Sequence, residues 1–365
     1  MSPTNSVLDA APNSGVDPDE FIRAAMAWHF GPTTGSPYWL KRSKSFDFDP
    51  IKDVHCFADL ALFPNVVDEL RHVTPEEMIP RGYGSSAKVV GFFESGGTTG
   101  IPKRVLFLDD WVRTMVDYMH ESIARAALPD KANWLGIVPT GPHVIGEQFR
   151  RVCNSNGGVF FSVDMDPRWV KKLVGAGKTE DAEDYANHIV EQAGNVLRSQ
   201  EIGILATTPP LLERLSRRED LVSLINRNVR GILWSGTHMD PDTYDILAGD
   251  VFPNVSLSGV YGSTLILGGV HQRVGASAER RCIFDGASPF ISFRVIDPQS
   301  GESVAYGERG QVVMNHISRS ALLPNNLERD SAIRLPAPKG VMGDAVAQVS
   351  PVESFEGQAV IEGVY

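Results

Sequence analysis

Glu94-Ser95-Gly96-Gly97-Thr98-Thr99-Gly100-Ile101-Pro102-Lys103-Arg104 is the stretch on which the reading of the fold turns. It stands between two apolar runs, Ala87-Lys88-Val89-Val90-Gly91-Phe92-Phe93 and Val105-Leu106-Phe107-Leu108, both β-branched or aromatic enough to predict strands. Glycine allows positive φ and close approach, so successive backbone N–H groups can converge on an anion. The Thr98 and Thr99 hydroxyls and the Lys103 ammonium add donors, which is the equipment a polyphosphate requires. A Walker loop would end in Gly-Lys-Ser/Thr and run into a helix. Here Lys103 follows Pro102 and runs into a strand, so that reading fails. A plain exposed hairpin is the simpler alternative, since Gly and Thr are common turn residues. Such a turn has no need of so long an ordered run.

The rest of the chain bounds what this loop can serve. With 365 residues there is room for a large core and more than one lobe. A formal charge of −11 argues against a general affinity for nucleic acid or anionic membrane, so any anion must be bound locally. Cys56, Cys153 and Cys282 are far apart and odd in number, which gives neither a disulfide framework nor metal-ligand spacing. A reducing cytoplasm is the expected compartment. The first residues lack a basic segment followed by an apolar one, and no stretch has the apolar length of a membrane span.

Outward from the loop, residues 1–18 are rich in Ser, Pro, Asn and Asp and predict a frayed arm. Asp17 caps an expected amphipathic helix to His29, with Pro18 at its first position. Short helices broken at Pro64 are expected over 57–73, and a long helix over 109–128. Strands at 134–138, 158–163, 202–206, 232–234 and 255–257 alternate with helices at 146–152, 169–174, 179–198 and 209–215. Apolar runs separated in this way predict a parallel sheet covered on both faces. From about Gly268 the rhythm shifts to short strands at 290–296, 303–304 and 310–314. The expected organisation is an arm (1–18), α/β nucleotide- and acid-binding lobes (19–267) and a β-rich lobe (268–365).

The loop resembles, residue for residue, the phosphate-binding signature of the adenylate-forming superfamily, which includes acyl-CoA synthetases, peptide-synthetase adenylation domains and luciferases. Gly259-Val260-Tyr261-Gly262-Ser263-Thr264 resembles that superfamily's Tyr-Gly-Ser/Ala-Thr-Glu motif. The resemblance implies an α/β fold of layered sheets with a smaller β-rich lobe, ATP as cofactor, and conversion of a carboxylate to an acyl-adenylate. It also implies site residues. Thr98, Thr99, Lys103 and Thr264 would act on the phosphates, with Ser95, Gly96, Gly97 and Gly100 around them. Ser235-Gly236-Thr237 would border the adenine, on which Tyr261 packs beside Gly262 and Ser263. Asp344 of Gly343-Asp344 would accept from the ribose hydroxyls, as an acceptor-only carboxylate can. His143, otherwise an ordinary loop histidine, would line the acid pocket with Gly259.

Leu265 stands where the motif has a glutamate that helps hold Mg²⁺, and an apolar side chain cannot ligate a hard cation. Magnesium is implied with its ligands left open. Val295-Ile296-Asp297-Pro298 and Gly307-Glu308-Arg309-Gly310 resemble structural turns of the β-rich lobe. The segment before the loop is most similar to the phenylacetate-CoA ligase-like branch. Gln358 stands where relatives have an arginine at the hinge, and the small mobile domain beyond it is expected to be absent. Truncated members of this kind act on phenazine-type aromatic carboxylates in antibiotic biosynthesis, so the resemblance implies such an acid and a separate reductase or acyl-acceptor enzyme as partner. A homodimer is the base-rate expectation. From a different class, the chain reads as a nucleotide- or carboxylate-binding remnant without turnover.

Overall fold

The computed structural model describes residues 7–95, 101–275 and 282–352, and the backbone of 354–355 and 358–359. The glycine-rich loop's flanks form an antiparallel hairpin of β1 (Val89–Ser95) and β2 (Lys103–Leu108), with Ser95 opposite Lys103. Gly96, Gly97, Thr98, Thr99 and Gly100 lie outside the described residues.

Behind the hairpin stands a six-stranded sheet of β3 (Trp134–Ile137), β4 (Phe160–Val163), β5 (Ile204–Thr207), β6 (Gly231–Ser235), β7 (Ser256–Ser263) and β8 (Gly268–His271). Its order is β4-β3-β5-β6-β7-β8, parallel up to β7, with β8 antiparallel at the edge. Every residue of β3, β5 and β6 is buried, which is why these strands read as unbroken apolar runs. Its covering is close: Phe149 of the helix Val144–Ser155 lies 5.9 Å from the Trp134 ring, and a side chain at Gly231 would strike Leu128 of the loop before β3. The helix Asp109–Arg125 buries Trp111, Met115, Tyr118, Met119, Ser122 and Ile123 along one face. It stops short of the expected residue 128 because Ala127 takes a left-handed φ of 53°.

The second sheet is antiparallel, with β9 (Ile283–Phe284), β10 (Ile291–Ile296), β11 (Arg309–Ile317), β12 (Leu322–Pro336) and β13 (Asp344–Pro351) in the order β10-β11-β12-β13-β9. A further pairing of Phe293 with Asp344 joins β10 to β13, so four strands close on themselves. Residues 303–304, expected to be a strand, contribute one bridge, Ser303 to Ile296. The edge strand β8 begins at Gly268, where the sequence rhythm changes, and still belongs to the larger sheet.

Residues 7–17, expected to fray, are docked. Leu8 is buried, Asn13 N–H donates to Ser288 O, and Asp9 pairs with Arg319 at 3.0 Å. The helix Pro18–Phe30 starts as expected, the Asp17 carboxylate accepting from Glu20 N at 2.8 Å. It buries Phe21, Ile22 and Met26, each stabilising by roughly 1.5–3 kcal/mol. His29 Nε2 donates to Ser318 O and Trp28 Nε1 to Arg319 O, so this helix is fastened to the loop between β11 and β12.

Candidate functional site

In an open α/β sheet the strand ends that face away from the chain's entry make the ligand crevice. Three tethers bring the hairpin there. Glu94 N–H donates to Pro142 O at 2.7 Å, which joins β1 to the loop after β3. The Glu94 carboxylate accepts from Arg104 at 3.1 Å and from Arg168 of the helix Pro167–Gly175 at 3.0 Å. β1 also packs on the turn Thr264–Ile266 that follows β7.

On the other flank Lys103 is largely buried, and its ammonium lies 3.3 Å from Asp68. Arg71 holds the same carboxylate at 3.2 Å and donates to the carbonyl of Ile101. Burial would raise the Asp68 carboxyl, but Lys103 and Arg71 together outweigh it and hold it below the usual carboxylate range. The ammonium is thus fixed at one end of the glycine run.

At the end of β7, Tyr261 is half-buried between Phe284 and Phe293, at 5.5 and 5.7 Å. Its hydroxyl donates to Asp330 of β12 at 3.1 Å. Burial, then the charges of Asp330 and Glu328, push this phenol far above its ordinary value. Ser263 accepts from Leu265 N–H, and β12 packs against the turn Thr264–Ile266 that follows it. Burial and the Asp330 charge raise Glu328 to about 7, against the opposing pull of Ser263, Arg329 and Lys103. Tyr261, Ser263, Glu328 and Asp330 therefore gather at the end of β7, with Thr264 in the turn directly after it and Lys103 within electrostatic reach of Glu328.

Around this centre the other expected residues take separate places. Ser235 is buried at the end of β6, and Gly236 turns with φ 88°. Thr237 Oγ1 is buried without a partner among the described residues. His238 Nδ1 donates to Val349 O, tying this turn to β13. Gly259 has no room for a side chain, since a Cβ would stand 2.7 Å from the Trp234 ring. A Cβ at Gly262 would stand 2.2 Å from Gly268 O. His143 is half-buried beside Arg168, and burial followed by that positive charge lowers it from its ordinary value.

Asp344 is not with them. It is 3 % exposed; Oδ1 accepts from Arg334 at 2.9 Å and Oδ2 from Val295 N–H at 3.1 Å. Both oxygens are committed inside the closed sheet, so the expected diol-accepting role does not fit this residue. Asp330 is the carboxylate beside Tyr261, and the sequence reading missed it along with Glu328 and Asp68. Carboxylates at 328 and 330 lie where the pairing of β12 with β11 slips, so no regular strand pattern marked them.

No family model matches the chain, and no curated protein is significantly similar to it. Solved structures do share its fold. A 2-hydroxyisobutyryl-CoA ligase in the postadenylation state, in complex with R3-HIB-AMP, aligns over 99 % of this chain and 74 % of its own, with TM-score 0.66 and 12 % identity. The same ligase with 2-HIB-AMP and CoA aligns over 91 % of this chain and 67 % of its own, with TM-score 0.64 and 14 % identity. ATP-bound MatB from Rhodopseudomonas palustris aligns over 71 % of this chain and 47 % of its own, with TM-score 0.50 and 14 % identity. The chain thus has the fold of the adenylate-forming enzymes: mixed α/β sheets with a smaller β-rich lobe. At these identities the likeness concerns the fold alone.

Proposed function

We propose that this protein activates an aromatic carboxylic acid, of the phenazine type, by joining it to ATP as an acyl-adenylate in secondary-metabolite biosynthesis. What supports the reading is that Tyr261 and Asp330 meet at the end of β7, beside the turn on which β1 packs, while Lys103 stands at the other flank of the glycine run. The adenine stacks on Tyr261 beside Ser235–Thr237, and Asp330 takes the place first given to Asp344 at the ribose hydroxyls. The acid lies toward His143 and Gly259. Its carboxylate oxygen attacks the α-phosphorus in line, the bond from that phosphorus to the bridging oxygen breaks, and pyrophosphate departs. Lys103 and the donors of Thr98, Thr99 and Thr264 stabilise charge on the transferring and leaving oxygens, and no side chain serves as nucleophile. A separate reductase or acyl-acceptor enzyme consumes the adenylate.

Nucleotide chemistry of this kind draws on Mg²⁺, which screens phosphate charge when bound. Leu265 is buried and apolar and does not fit it, whereas the shielded, unpartnered Oε1 of Glu328 does. The loss of the motif glutamate at Leu265 also favours a second reading, a binding remnant without turnover. Exchange of labelled pyrophosphate into ATP, run with phenazine carboxylates, benzoates and phenylacetates, separates the two. Exchange with one acid class supports activation. Nucleotide binding without exchange for any acid leaves the remnant.

A further inference from the structure

We infer that Glu328 ligates the divalent cation that accompanies the nucleotide, supplying from β12 the carboxylate that the turn after β7 lacks. The inference rests on the nucleotide reading above and adds a residue that the motif does not contain.

Leu265, the motif's own position, is 4 % exposed and closes the turn with an apolar side chain. Glu328 comes to the same end of β7 on a neighbouring strand: β12 packs against the turn Thr264–Ile266, and Asp330, two residues on, meets Tyr261 of β7. Gln311 fixes its backbone by donating to the Glu328 carbonyl at 2.7 Å. The Glu328 carboxyl oxygen Oε1 is shielded from solvent and has no hydrogen-bond partner among the described residues. An acceptor left shielded and unpaired carries an uncompensated desolvation cost, greater when charged, which a bound cation would offset.

The surroundings say which ligand. Asp330 stands on the same strand two residues on, Asp68 stands across the hairpin, and Lys103, within electrostatic reach of Glu328, is already paired with Asp68. A triphosphate entering beside Lys103 would meet these carboxylates as like charges. A neutral or hydrogen-bonding ligand would leave that repulsion in place, whereas a divalent cation between carboxylate and phosphate removes it. Magnesium suits the donor set, since it commonly takes one or two carboxylates, with phosphate oxygens and waters completing its shell.

The test uses the full chain, Mn²⁺ as a spin-active stand-in, and α,β-methylene-ATP. Mn²⁺ affinity for the protein–nucleotide complex is read by electron paramagnetic resonance for wild type, E328Q and E328D, with nucleotide binding in excess EDTA measured in parallel. E328Q should weaken Mn²⁺ by tenfold or more, E328D should recover part of it, and metal-free nucleotide binding should be unchanged or tighter. Mn²⁺ affinity within twofold of wild type in E328Q overturns the inference alone. Absence of nucleotide binding in every condition overturns it together with the reading beneath it. Should E328Q not fold, the wild-type complex answers directly: an anomalous Mn²⁺ peak bonded to the Glu328 carboxylate supports the assignment, and one held elsewhere overturns it.

Discussion

Two aspartates on β12 and β13 have opposite surroundings, although one of them alone matches a motif. Asp344 follows a glycine with φ 87°, as a Gly-Asp signature should, yet it faces inward and is consumed by Arg334 and Val295. Asp330 has no glycine before it, yet it meets the Tyr261 hydroxyl at the mouth of the larger sheet. A dipeptide fixes a local turn; whether its carboxylate is offered to a ligand depends on what the adjoining strand brings opposite. In the closed sheet the opposite partner is a guanidinium, and at the open strand ends it is a phenol.

The sharpest way to break this comparison is to remove each carboxylate. Asp344→Ala strands the Arg334 guanidinium in a mostly buried place, so a loss of about 3–5 kcal/mol of stability is expected in chemical denaturation. If instead Asp344→Ala folds normally and loses nucleotide, the assignment of the two aspartates is reversed.

Acid separates the two sheets by a different route. His29 and His316 anchor the loop after β11, while His271 lies on β8 with neither ring nitrogen partnered among the described residues. Burial lowers His29 and His271 to about 4 and His316 to about 3. Their neutral forms are the ones the fold accepts, so their contribution is complete above about pH 6.5. It is lost as pH falls from there through about 4 for His29 and His271, on the order of 3 kcal/mol each, and through about 3 for His316, on the order of 5 kcal/mol. His271→Leu should flatten the part of this acid loss that belongs to the larger sheet, as read by urea unfolding at pH 7, 5.5 and 4. An undiminished slope would show that His271 is not what acid attacks.

A smaller effect is expected at Asp330. Asp330→Ala should leave the melting temperature nearly unchanged and weaken adenine-nucleotide binding in calorimetry by about 1.5–3 kcal/mol, the worth of a hydrogen bond to a charged group. The smallest belongs to the surface network of Arg198 with Glu191 and Asp220, on the helices Thr179–Ser199 and Glu219–Asn228. Arg198→Ala should shift the melting temperature by no more than about one degree.

The parallel strands were legible because burial on both faces leaves Ile, Leu and Val in unbroken runs, as at Ile204–Thr207. The hairpin was legible for its β-branched and aromatic flanks. β12 was not: Pro324-Asn325-Asn326-Leu327-Glu328-Arg329-Asp330 carries neither a continuous apolar run nor an alternating one. The strand bends there, its pairing with β11 slipping between Gln311 and Val313, and part of it faces the site rather than the core. Asp330 and Glu328 were hidden for the same reason, since their meaning comes from β7 across from them and not from their own neighbours. Lys103, by contrast, stood out because its glycines and threonines travel with it in sequence.

The fastening of the hairpin bears on when this protein becomes competent during folding. Arg168 grips Glu94 across 74 positions of chain, and Arg71 grips Ile101 across 30. Contacts between such distant positions form only after the intervening chain has been gathered in. The hairpin can therefore zip up early by itself and still be aimed nowhere, until the helix at Pro167–Gly175 arrives to point it.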